Sequence, residues 1–159
     1  MTGISERTDQ KKEPFRILML GDLHFGENYS TGGRRLLRER GYDHATVYLS
    51  RFTRAADVVV ANFESPIVDR QTLKSPFIGK KRFIHWADPD QAPHALKRLG
   101  VDAVSLANNH AVDYGHDGLT STISAMEGSG IQTFGVGETI ASAARPLKID
   151  IPLSRGGGS

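Results

Sequence analysis

VSLANNH, from Val104 to His110, is an apolar run that stops abruptly on two amides and an imidazole. Working outward, the same design occurs twice upstream, in LMLGDLH (Leu18 to His24) and VVVANFES (Val58 to Ser65). A buried strand that ends on Asp, His, Glu or Asn delivers hard oxygen and imidazole donors to one edge of a sheet. Such donors suit a divalent metal pair better than an apolar core. The clusters lie roughly forty residues apart, about the repeat of a βαβ unit. Residues distant in sequence should therefore meet at the carboxyl ends of neighbouring strands, where open α/β sheets place their sites.

The rest of the chain reads consistently with that frame. Strands are expected at Arg16 to Gly21, Asp57 to Asn62, Val101 to Ala107, Ile131 to Phe134 and Leu147 to Ile151. Between them the apolar spacing predicts two helical pieces within 34–56, broken near Gly41, and a helix capped by Asp88 with Pro89 at its first position, ending at Leu99 before Gly100. Further helices are expected over His116 to Glu127 and Glu138 to Ala144. The alternation predicts an α/β fold, a mostly parallel sheet with helices on both faces. Residues 1–14 read as a disordered arm, 15–153 as the domain and 154–159 as a flexible tail.

Composition bounds the rest. At 159 residues the chain is one domain by the usual prior of about 100–200 residues. A net charge of +2 supplies no global field that would demand nucleic acid. Cysteine is absent, which removes thiolate metal sites and Cys nucleophiles. No run approaches the ~18 apolar residues of a membrane span, and MTGISERTDQKKEPF lacks the apolar core of a secretory signal. The expectation is a soluble chain, cytoplasmic by default.

Each candidate site residue has a plainer competing reading. Asp22 and His24 form a D-x-H pair whose alternation points both side chains to one side; the plainer view is a loop acid and a surface His. Glu64 offers two oxygens that could bridge cations ~3.5–4 Å apart, or it is a solvated or capping acid. In Asn108-Asn109-His110 an Asn carbonyl oxygen is a neutral ligand and the His a group able to protonate a leaving oxygen, or the cluster is a polar turn. GRRLLRER (Gly33 to Arg40) could meet phosphates or a polyglutamate chain, but such a charge run reads first as a solvated helix face. Phe83, His85 and Trp86 could line a pocket but read first as aromatic packing under a long loop, and His85, His94 and His116 read as surface or satisfied residues. Three compatible strand ends in one small chain favour the metal reading jointly.

Over about residues 15–150 the chain resembles the amino-terminal part of the capsule synthesis protein CapA family, also called poly-gamma-glutamate biosynthesis proteins, of the calcineurin-like metallophosphoesterase fold. The carriers are GDLHFG (Gly21 to Gly26), ANFESPI (Ala61 to Ile67), VDAVSLANNHAVDYGHDGLTSTI (Val101 to Ile123) and GIQTFGVG (Gly130 to Gly137). The resemblance implies a two-metal site, with manganese, zinc or iron not distinguished. Asp22, His24, Glu64 and Asn109 would be the metal ligands, and His110 the residue that assists catalysis without binding metal. It implies a phosphorylated or polyanionic substrate, and it adds association with the cell envelope as an alternative location. The wider fold draws further His ligands from its second half, whereas no His follows His116 here. The domain is therefore expected to be incomplete, with surface left for a second copy or a partner to cover. The rival reading is a non-enzymatic assembly component or an inactive remnant.

Overall fold

The computed structural model describes residues 14–25 and 32–150, with side chains omitted for 32–38. Expectations for the arm, the tail, most of GRRLLRER and the end of the fifth strand lie outside the described residues. Four strands, β1 (Ile17–Leu23), β2 (Val58–Phe63), β3 (Ala103–Ser105) and β4 (Gln132–Phe134), form one sheet in the order β1-β2-β3-β4. All three pairings are parallel. The helices are α1 (Gly32–Thr46), α2 (Ser50–Thr53), α3 (Ala92–Leu99), α4 (Gly115–Gly128) and α5 (Ile140–Ala143). The class is α/β, and the helical break falls where expected: Gly41 has φ 71°, a conformation glycine adopts without steric cost, and kinks α1 there.

The strand order explains how the core is arranged. A right-handed crossover that always steps the same way puts its helices on one face of the sheet. Val59, Ala61, Phe63 and Val104 on that face pack with Tyr42 of α1, Leu96 and Leu99 of α3, and Met126 of α4. The other face, where the sequence also placed helices, is covered differently. Val58, Val60 and Ala103 lie beneath Phe134, Leu147 and Ile149. The expected fifth strand is the correction here: 147–150 is not strand among the described residues. Its alternating Leu147 and Ile149 serve as a lid on the sheet rather than as a ladder.

Two smaller differences matter for the site. β1 runs on through Asp22 to Leu23 instead of stopping at Gly21, and its register against β2 slips between Met19 and Asp22. The extra residue on β1 is a bulge at Leu20-Gly21, and a bulge re-aims the side chains that follow it. Asp22 thereby comes opposite Asn62, and Leu23 opposite Phe63 in the core. Helix α3 starts at Ala92 rather than near Pro89. Asp88 Oδ1 instead accepts from the backbone N–H groups of Asp90 and Gln91, closing a turn ahead of the helix.

The long connection from Glu64 to Gln91 is tied down at its middle. Ile67 and Ala87 form a parallel bridge, in which Ala87 N–H donates to Pro66 O at 2.8 Å. Thr122 of α4, buried, accepts from Ile67 N–H at 2.8 Å, and Ser121 donates to Ile67 O. This bridge returns the chain to the end of β2, with His85 just before it. No helix among the described residues is long and apolar enough to cross a membrane.

Candidate metal centre

The ends of β1, β2 and β3 bring a polar cluster together over the buried Phe63. Asn62 Nδ2 donates to Asp22 Oδ1 at 2.7 Å, and Asn108 Nδ2 donates to Asn62 Oδ1 at 3.1 Å and to Phe63 O at 2.9 Å. Asn108 Oδ1 in turn accepts from His110 N–H at 3.0 Å, closing the turn that presents the imidazole. Asp22 and His110 are thus joined through two amides, one on each intervening strand end.

Three imidazoles line the other side. The His85 and His110 rings stack 3.6 Å apart and within 4° of parallel, and the His24 ring lies 5.2 Å from His85, tilted by 43°. His85 is only 4% exposed and His110 8%. Burial, then the neighbouring His110 and His24, lower the His85 pKa from 6.5 to about 4, so its ring is neutral near pH 7. His85 Nδ1 sits 3.2 Å from Glu64 O; a carbonyl only accepts, so Nδ1 carries the hydrogen and Nε2 the lone pair.

Asp113 organises the same cluster from below. It is 1% exposed, and its Oδ2 lies 2.7 Å from His110 Nδ1 and accepts from His85 N–H at 2.6 Å. Its Oδ1 takes the Lys81 ammonium at 2.5 Å. A carboxylate on Nδ1 fixes the His110 tautomer as it does in metal and catalytic histidines, leaving Nε2 as the basic nitrogen. Lys81 also lies 3.4 Å from His110 Nδ1, but its hydrogen bonds go to Asp113 and to Asn109 O at 2.8 Å.

Of the five residues chosen from sequence, Asp22, His24, Glu64 and His110 gather at this end of the sheet. Asn109 is adjacent but exposed, and its recorded contact is through its carbonyl. Among the described residues, the group whose donor atoms lie mutually within 4.8 Å is Glu64, His85 and His110. Sequence reasoning missed His85 and Asp113. Asp113 had a signal, the three-residue spacing from His110 inside a turn-rich segment; His85 had none, since the Ile67–Ala87 bridge places it. Beside Asn109 lies an open cavity of about 500 Å³, lined by Leu106, Asn108, Val112, Gly135 and Val136 among others.

The four-stranded, all-parallel sheet with its helices makes this a metallophosphoesterase-like α/β domain. The chain belongs to the bacterial capsule synthesis protein PGA_cap family, whose model matches residues 16–157. It is 36% identical over 101 residues to a probable polyglutamine synthesis accessory protein of Mycobacterium tuberculosis, a match covering 64% of this chain and 25% of that protein. It is also 27% identical over 129 residues to the capsule biosynthesis protein CapA of Bacillus anthracis (81% of this chain, 30% of the relative). The match to the PGA biosynthesis protein CapA of Bacillus subtilis is 25% over 128 residues (80% and 32%). The chain thus spans about a quarter to a third of the length of these curated relatives.

Proposed function

We propose that this sheet-end cluster is a divalent-cation centre that cleaves a phosphoester or related bond during synthesis of a capsular or polyglutamate-type polymer. The observation that carries the reading is the grouping of the Glu64 carboxylate with the buried His85 and His110 imidazoles at the sheet edge where Asp22 is tied to His110 through Asn62 and Asn108. The donor set fits a cation: carboxylate and neutral imidazole within one small space suit zinc, manganese or iron. When bound, the cation supplies Lewis-acid polarisation of a phosphoryl oxygen and activation of water.

The chain's own residues divide the remaining work. In the family-based assignment Asp22, His24, Glu64 and Asn109 are ligands, and His110 handles the proton of the leaving oxygen. Asp113 holds His110 Nδ1–H at 2.7 Å, so exchange at His110 is confined to Nε2. The open, largely apolar cavity beside Asn109 leaves room for the uncharged part of a phosphorylated substrate.

The test is hydrolysis of an aryl phosphate by the purified chain with manganese or zinc. Turnover that Asp22→Ala and Asn109→Ala both abolish supports the reading, and metal binding without turnover contradicts its hydrolytic part. One observation favours a second reading, a non-enzymatic component of the synthesis machinery: the M. tuberculosis relative is named an accessory protein. On that reading a second copy or a partner covers the outer face of β1, where Ile17 and Met19 are 60% and 76% exposed.

A further inference from the structure

We propose that His85 is a metal ligand, forming with Glu64 and His110 a three-donor site that the four-residue family assignment does not contain. The proposal rests on the cation-centre reading and gives His110 Nε2 to the cation rather than to a leaving oxygen. It stands on three observations.

First, these three are the residues whose donor atoms come mutually within 4.8 Å among those described. Tetrahedral bonds of ~2.0–2.1 Å place ligand atoms roughly 3.3 Å apart, so no pair in the site needs to close by more than about 1.5 Å. Second, both imidazoles are held as metal-binding histidines are. His85 Nδ1–H is aimed at Glu64 O and His110 Nδ1–H at Asp113 Oδ2, so each ring presents Nε2 as its lone-pair nitrogen. Third, His85 is held from its backbone as well as its ring. Its N–H donates to the same Asp113 oxygen that takes His110 Nδ1–H, and the Ile67–Ala87 bridge anchors its loop to the end of β2.

The parallel stack of the two rings has a consequence. The in-plane lone pairs of stacked imidazoles lie in parallel planes, whereas two rings that ligate one cation need planes that meet at it. A cation must therefore tilt His85 against His110 and break the 4° alignment.

The experiment uses the purified chain and zinc chloride, with equilibrium dialysis and metal analysis. The expected result is one zinc per chain, with affinity lowered at least about 100-fold in His85→Gln, beyond the roughly 10–100-fold typical of losing an outer-shell partner. A second measurement needs no variant: in imidazole 1H–15N spectra of the unmodified protein, zinc should shift the Nε2 signals of both His85 and His110. Zinc that leaves the His85 signal unmoved, or that binds His85→Gln as tightly as the parent, overturns the proposal. No zinc binding at all overturns it together with the cation-centre reading. Zinc held through His85 without aryl phosphate turnover supports it while sinking only the hydrolytic function.

Discussion

Asp113 Oδ2 lies 2.7 Å from His110 Nδ1, and the same oxygen accepts the backbone N–H of His85 at 2.6 Å. One carboxylate, 1% exposed, therefore sets the orientation of both buried imidazoles while Lys81 balances its charge. Removing one partner of a buried ion pair leaves the other uncompensated. Asp113→Ala also strips His110 Nδ1–H and the His85 amide of their acceptor and is expected to cost about 3–5 kcal/mol, with Lys81→Met costing less because Asp113 keeps both of those donors. Urea unfolding of the two variants checks the ranking; equal losses would contradict it.

The His85 pKa makes a directional prediction for metal-free protein. Burial, His110 and His24 hold the folded value near 4, with the Glu64 carbonyl and Asp113 opposing them, against 6.5 unperturbed. Between those values the unfolded chain takes the proton first, so stability falls as pH drops from about 6.5 to about 4, and this group contributes no pH dependence above that window. Unfolding midpoints measured with chelator at pH 7, 5.5 and 4.5 should fall more steeply for the parent than for His85→Gln. Parallel curves would contradict the assignment.

Gly135 and Gly100 should respond differently to alanine. Both have positive φ, +72° and +86°, but a Cβ on Gly135 would meet Ala107 Cβ at 2.7 Å while one on Gly100 would meet nothing within 4 Å. Gly100→Ala is expected to cost only the left-handed backbone penalty, about 1–2 kcal/mol. Gly135→Ala adds overpacking of about 1–3 kcal/mol, and thermal melts should order them accordingly.

Thr122 ties the loop bearing His85 to α4. Its hydroxyl accepts from Ile67 N–H at 2.8 Å and donates to Gly118 O at 2.7 Å, and it is buried. Thr122→Val leaves the Ile67 amide unsatisfied, a cost of about 1–3 kcal/mol. Amide exchange at Ile67 should accelerate in the variant, and unchanged protection would show that the loop is held elsewhere.

Much of this was legible in the sequence, for local reasons. The ends of β2 and β3 announce themselves as apolar runs stopping on Asn-Phe-Glu and Asn-Asn-His, and the helices by their apolar spacing and glycine stops. The bulge at Leu20-Gly21 is different: alternation alone cannot show that one residue drops out of register and swings Asp22 toward Asn62. Leu147 and Ile149 alternate as a strand would, yet their partners are side chains on the face of the sheet. His85 lay furthest from reach. Its place depends on a bridge between Ile67 and Ala87 and on a hydroxyl from α4, contacts that no short window of sequence encodes.

The most direct measurement is anomalous diffraction at the zinc edge from crystals of the chain grown with zinc chloride. The account predicts a peak within ~2.0–2.2 Å of a Glu64 carboxylate oxygen and of Nε2 on both His85 and His110. A peak held by other residues, or none at this edge of the sheet, would contradict it.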